Sequence, residues 1–204
     1  MPIIEDSFEQ RSDAWFRARL GNPGCSGMSN IITPQGVISK SREDYLYTLA
    51  AETISGRSDD KYQSQAMIDG TEREASCRSL FELIYGIETR QCGIVWKDEF
   101  KLFHCSPDSL VGDNALLEMK NPLGKTAAKY LLAQTVPSQY YVQCQASLYV
   151  CERELLYFIS NYDGMPPLIL EVRRDERFIS LLAKALSDFA ADLILVVRKL
   201  EALR

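Results

Sequence analysis

The spacing of apolar residues divides this chain into helical and extended stretches. A three-to-four-residue period predicts helices over 10–19, with Trp15 apolar, over 28–32, and over 41–55, which opens on the capping residue Ser41. A longer helix is predicted over 65–85, ended by Gly86. The stretch 21–27, rich in Gly, Asn and Pro, reads as a loop. The pattern then turns to short extended runs. Strands are predicted over 93–96 and 100–105 around a Lys-Asp-Glu turn, and over 109–111 and 115–119 around Gly112-Asp113-Asn114. A helix over 138–150 follows Pro137. Strands over 155–160 and 168–173 flank an Asn-Tyr-Asp-Gly turn. A last amphipathic helix runs from 177 to about 200, with Phe178, Leu181, Leu182, Leu186, Phe189 and Leu193 at helical spacing. This order predicts an α/β (mixed α+β) fold, a central mixed β-sheet flanked by helices. With 204 residues, no internal repeat and no long linker, the chain fits one domain spanning 1–204.

The segment from Ser106 to Lys120 carries the chemistry. A hairpin turn centred on Asp113 sets residues five before and five after it face to face, and these are Asp108 and Glu118. Directly opposed residues have Cβ atoms about 5 Å apart. Two carboxylates that close repel unless a cation lies between them. Glu118 and Lys120, two apart on one strand, share a face, while Leu117 and Met119 point to the other. One sheet face would thus present two carboxylates and an ammonium. Hard oxygen ligands with open positions suit Mg²⁺, which keeps several waters and accepts phosphate oxygens. Lys120 would orient or deprotonate an attacking water, or stabilise charge on a phosphate. The bland alternative is a solvated face whose charges pair with one another.

Composition narrows the context. Apolar residues at 46% and charged residues at 25% are ordinary for a soluble globular protein. No apolar run approaches membrane length, and the N-terminus lacks a basic, apolar leader, so a cytoplasmic, membrane-free protein is expected. Six cysteines without a Cys-x-x-Cys pair, beside the single His104, exclude a zinc-finger spacing and predict reduced, half-buried thiols. A net charge of −5 argues against binding through a broad basic surface. It is compatible with a carboxylate-bound cation and a local basic track, for which Lys125 and Lys129 are candidates.

Pro107-Asp108 followed by Glu118-Met119-Lys120 resembles the core motif of the PD-(D/E)xK nuclease superfamily. Within it the chain is similar, over nearly its whole length, to the alkaline exonucleases related to phage lambda exonuclease. The resemblance includes Trp15, Arg19-Leu20-Gly21, Ser26, Gly70, Glu74, Leu80-Phe81-Glu82, Cys105-Ser106, Gln143-Cys144-Gln145, Tyr157-Phe158, Asn161-Tyr162-Asp163 and Arg174-Asp175-Glu176. It departs at Gln65, where the family has a lysine.

The resemblance implies a restriction-endonuclease-like core in which Asp108, Glu118 and the Met119 carbonyl bind metal. It implies that Lys120 acts on the nucleophilic water, that Glu74 serves the site directly or through metal-bound waters, and that Gln143 lines it. Without the resemblance, Glu74 would read as an ion-pair partner of Arg78, Gln143 as an exposed helix residue, and Arg19 as a surface charge. Arg19 and Ser26 match residues that recognise a terminal 5′-phosphate, and Ser106 is grouped with them. Two Mg²⁺ ions per site are implied, with Mn²⁺ as a substitute, and a homotrimeric ring that encloses DNA. The implied activity is a 5′→3′ exonuclease acting on linear double-stranded DNA ends. It would release 5′-mononucleotides and leave 3′ single-stranded tails for a single-strand annealing recombination protein. A structure-specific or restriction-like endonuclease on the same core is the alternative. A non-enzymatic DNA-binding subunit is a third reading.

Overall fold

The computed structural model describes residues 1–58 and 73–203. Gln65, Gly70 and the first part of the helix expected over 65–85 lie outside the described residues.

Eight strands are described, in two sheets. β1 (Ile3–Glu5), β3 (Ile94–Trp96) and β4 (His104–Cys105) form an antiparallel sheet in the order β1-β3-β4. β2 (Thr89–Arg90), β5 (Ser109–Val111), β6 (Ala115–Lys120), β7 (Leu155–Ser160) and β8 (Leu168–Arg173) form a mixed sheet in that order. Within it only β6 and β7 run parallel. A parallel pair needs a long crossover. Here it is made by α4 (Gly124–Ala133) and α5 (Ser138–Cys151). The remaining helices are α1 (Asp13–Arg19), α2 (Arg42–Ser55), α3 (Glu74–Tyr85) and the long α6 (Glu176–Glu201), with a 3₁₀ segment at Cys25–Asn30. The mixed sheet flanked by helices is the predicted class.

Local chemistry sets the boundaries. α1 starts three residues later than its periodicity implies, because the Ser12 side chain caps it by accepting from the Trp15 N–H at 3.2 Å. Asp175 caps α6 in the same way, accepting from Phe178 N–H at 3.0 Å. The strand expected over 100–105 shrinks to its last two residues, since Lys101 takes a left-handed φ of 53° and Phe100 is exposed. The turn at Gly112, with φ of 49°, closes the β5–β6 hairpin. Arg153 clamps it, donating to the carbonyls of Gly112 at 2.8 Å and Ala115 at 2.7 Å.

Two cores sandwich the mixed sheet. On one face Val111, Leu117, Met119, Tyr157 and Ile159 pack with Cys77 and Phe81 of α3. On the other, Leu110, Leu116, Leu156 and Phe158 pack with α5 and α6. Full burial of each such Leu or Phe contributes roughly 1.5–3 kcal/mol. α5 is buried on most of its circumference, including Val142, Cys144, Ala146, Ser147 and Val150, so its polar residues must find partners inside. All six cysteines are free and buried, deeper than the half-buried thiols expected.

Candidate active site

The β5–β6 register pairs Ser109 with Leu117, Leu110 with Leu116 and Val111 with Ala115, which centres the turn on Asp113. One residue beyond the ladder, Asp108 comes opposite Glu118. Asp108 is half-buried, and its Oδ2 accepts from the Met119 N–H at 2.5 Å. Glu118 is 4% exposed, and its Oε1 accepts from Lys120 Nζ at 2.5 Å and from Gln143 Nε2 at 2.6 Å. α5 supplies that last donor. Gln143 is therefore no ordinary exposed helix residue. One turn earlier, the Tyr140 ring lies 4.8 Å from Lys120 Nζ, and one turn later Ser147 meets Cys105 Sγ at 3.4 Å. The three share one helical face turned toward the sheets.

Charge is crowded here. Burial, then the charge of Glu118, pushes the Asp108 carboxyl well above the usual carboxylate range, against the opposing pull of Lys120 and the Met119 N–H. Burial pushes the Lys120 ammonium down, but Glu118, Asp108 and the hydrogen bond to Glu118 outweigh it and leave Lys120 raised. Glu74 opens α3, and its charge adds to the rise at Asp108. Its partner is Arg11, at 2.6 Å, and not the Arg78 four residues on, whose Nε goes to Ser109 Oγ at 2.9 Å. Arg11 itself has a left-handed φ of 70°.

Among the described residues, no three His, Cys, Asp or Glu side chains converge as a metal cage. The donor set still fits a hard cation. Two carboxylates repel at close range, and the Met119 N–H already points toward Asp108. A strand residue's N–H and C=O point to the same side. The Met119 carbonyl therefore faces the same edge, past the last β5 pair. Mg²⁺ needs only one or two carboxylates besides water and phosphate oxygens.

The remaining site residues gather elsewhere. A cavity of about 1150 Å³ is lined by Arg19, Ser26, Tyr45, Glu52, Arg57 and His104, among others. Arg19 lies with its guanidinium 3.7 Å from the centroid of the Trp15 ring, and among the described residues its buried Nε has no hydrogen-bond partner. It is more enclosed than a surface charge, and burial lowers its pKa. His104 is 2% exposed, and burial, then the charge of Arg19, depresses it to about 3, so it is neutral. Its ring fills the space beside Gly24, where a Cβ would stand 2.6 Å from His104 Cε1. Ser106 is not in the cavity lining. Its Oγ accepts from Trp15 Nε1–H at 3.2 Å. A smaller cleft of about 360 Å³, lined by Lys97, Tyr149, Glu152, Glu154, Arg174 and Glu176, is lined by charges paired among themselves.

Two further residues reach the site, Arg11 and Gln10, whose Nε2 donates to the carbonyls of Cys92 at 2.7 Å and Pro107 at 3.0 Å. Both precede α1 and meet the site only through the fold, so no local signal marks them. Tyr140, one turn before Gln143, comes beside Lys120 only through the packing of α5 on the sheet.

Residues 14–154 match the model of the YqaJ-like viral recombinase domain. No curated protein matches the sequence. Among solved structures, the chain is similar to an alkaline exonuclease (LHK-Exo) from Laribacter hongkongensis, with a TM-score of 0.85 and 26% identity over 94% of this chain and 97% of that one. The same protein in complex with dAMP matches equally well, with a TM-score of 0.85 and 26% identity. A phage related exonuclease from Haemophilus somnus 129PT shares the fold, with a TM-score of 0.68 and 12% identity over 90% of this chain and 96% of that one.

Proposed function

Because the chain belongs to the family of the YqaJ-like viral recombinase domain, we propose that it is a metal-dependent exonuclease that degrades one strand of linear double-stranded DNA from its ends, 5′→3′. The observation that carries this reading is the meeting of Asp108, Glu118, Lys120 and Gln143 at the end of the β5–β6 hairpin. A divalent cation held by Asp108, Glu118 and the Met119 carbonyl would supply Lewis-acid charge at the scissile phosphate, and a second ion would stabilise the leaving oxygen. Mg²⁺ fits these ligands, with Mn²⁺ as a substitute.

The chain's own groups do the rest. Gln143 holds Glu118 in place by its amide. Lys120 orients the attacking water or stabilises negative charge on the phosphate. Glu74, which Arg11 pairs at 2.6 Å, would serve the site directly or through metal-bound waters. Water attacks phosphorus and the bond to the 3′ oxygen breaks, which releases a 5′-mononucleotide and leaves a new 5′-phosphate on the shortened strand. The dAMP complex of the Laribacter relative is the kind of nucleotide such a reaction yields.

Each cut thus regenerates the terminal group that the cavity would read. In that cavity Arg19 offers a planar fork of donors to phosphate oxygens and Ser26 adds a hydroxyl, while Ser106, outside the lining, would reach the same phosphate from the edge of the Trp15 ring. Arg19 has a buried Nε without a partner, which supports an anion as the occupant of this cavity. The remaining 3′ single strand would be passed to a single-strand annealing protein. A homotrimeric ring around DNA accords with a net charge of −5, since enclosure removes the need for a broad basic surface.

The test uses linear duplex DNA labelled at a phosphorylated 5′ end, beside covalently closed circles of the same sequence, in Mg²⁺. Labelled mononucleotide should appear from the linear DNA, the circles should stay intact, and Lys120→Ala protein should release nothing. Nicked circles would replace this reading with an endonuclease. Intact DNA in every metal tried would leave a binding subunit.

A further inference from the structure

The cavity and the carboxylate hairpin are joined through one side chain. Trp15 and Arg19 stand four apart on α1, so they share a helical face. The indole of Trp15 lies beneath the guanidinium of Arg19, 3.7 Å from its carbon to the ring centroid. On the edge of the same ring, Nε1–H donates to Ser106 Oγ at 3.2 Å and to the Gly93 carbonyl at 3.1 Å. The ring is 7% exposed and packs with Ile94 and Trp96 of β3, so the second sheet fixes its position. Among the described residues Arg19 Nε has no hydrogen-bond partner, and the face of the Trp15 ring is the contact that holds its guanidinium.

The hydrogen-bond direction at Ser106 matters. An indole N–H can only donate. Ser106 Oγ must therefore accept from it, which leaves the serine's own proton to be given elsewhere. A phosphoryl group is a pure acceptor and a charged one. A polarised hydroxyl and a stacked, weakly hydrated guanidinium suit it better than they suit a neutral terminal hydroxyl.

We propose that Trp15 is a positioning residue that sets Arg19 and Ser106 together for a terminal 5′-phosphoryl group, and so sets the preference for phosphorylated over hydroxylated DNA ends. This rests on the reading of Arg19 and Ser106 as contacts of the terminal phosphate. Trp15 touches no substrate. It acts by fixing the plane of one donor and the proton of the other. Ser106 lies two residues before Asp108, so the same tether sets how the terminal phosphate is spaced from the carboxylates.

The experiment measures kcat/KM on linear duplexes that differ only in a 5′-phosphoryl or 5′-hydroxyl end, and takes their ratio. The proteins are the wild type, Trp15→Phe, Trp15→Leu, Ser106→Ala and the Trp15→Phe/Ser106→Ala double variant. Thermal melting checks that each is folded. Trp15→Phe keeps a ring face under Arg19 and loses the N–H, so the ratio should fall about 2–10-fold, the worth of one hydrogen bond. Trp15→Leu loses both contacts and should lower it further, by another ~2–10-fold for the stacking. Because the N–H acts through Ser106, Trp15→Phe should lower the ratio little more once Ser106 is alanine. A merely structural tryptophan would lower both rates in parallel and leave the ratio alone. A wild-type ratio in Trp15→Phe, or losses that multiply in the double variant, would overturn the proposal while leaving the phosphate reading intact. A wild type that cuts both ends equally would remove the phosphate reading and the proposal with it. If Trp15→Leu fails to fold, the comparison of Trp15→Phe with Ser106→Ala still decides.

Discussion

At the end of β6 two carboxylates share a small volume with one ammonium, and Glu118 holds both Lys120 and Gln143 on a single oxygen. In the cavity beside α1 the situation is reversed. A guanidinium lies enclosed against an indole with its Nε unpartnered, next to a histidine kept neutral. The first place has surplus negative charge and would be relieved by a cation. The second encloses a guanidinium whose open donors suit an anion, although Glu52 also lines the cavity. The proposed function would use both, the first for a metal and the second for a terminal phosphate. The contrast teaches that the unrelieved electrostatics of each place, more than its shape, indicate what it binds.

The sharpest way to break the comparison is to neutralise the carboxylates. Glu118→Gln and Asp108→Asn should each lower the rate on linear DNA by roughly 10²–10³-fold or more in single-turnover assays. Asp108→Asn should at the same time raise the melting temperature of the metal-free protein. The Asp108 carboxyl is held above its ordinary range, so its ionised form destabilises the fold as pH rises past the unfolded value. Activity and stability that fell together would show that the crowding is illusory.

A smaller effect is expected at the side chain that holds Glu118. Gln143→Leu removes a donor at 2.6 Å from Glu118 and should lower kcat by about 10–100-fold. An unchanged kcat would return Gln143 to the role of a packed helix residue.

The other place can be tested by pH. His104 is depressed to about 3 by burial and by Arg19, against 6.5 unfolded. The unfolded chain therefore binds the extra proton first. The stability tied to the neutral ring is fully present above pH 6.5 and is lost as pH falls toward 3, by up to ~1.4 kcal/mol per pH unit. Denaturant titrations across that window should show this slope, and His104→Gln should flatten it. An identical slope in the variant would place the acid sensitivity elsewhere. The smallest effect is expected at an exposed pair without such crowding. Lys184 and Asp188, at 2.8 Å on α6, should be worth less than ~0.5 kcal/mol when Lys184 is replaced by alanine.

The two places also differ in how far the sequence reveals them. Asp108, Glu118 and Lys120 lie within thirteen consecutive positions on one hairpin, and period-two alternation about Asp113 suffices to bring them together. α6 was equally legible, because its long apolar stripe and Asp175 cap are local. The cavity draws on α1, the 3₁₀ segment, α2 and β4, which touch only through tertiary packing, so Arg19 and Ser26 carried meaning only through a resemblance. The edge strands β1 and β2 have three and two residues, too few to show a period. α4 also escaped the pattern. It begins on Gly124, has no side-chain cap and buries only Ala127. Without the resemblance, spacing alone offers Glu74 only the local partner Arg78, whereas a partner from far along the chain, Arg11, takes it.

On the proposed function, Asp108 and Glu118 hold a divalent cation that cleavage requires. The most direct measurement is Mn²⁺ binding by electron paramagnetic resonance, on wild type and on the Asp108→Asn/Glu118→Gln protein, with cleavage of linear duplex DNA followed in the same samples. The wild type should bind saturably, the double variant should not, and cleavage should rise with occupancy and stop in a chelator. Equal binding by both proteins, or cleavage that persists in the chelator, would contradict it.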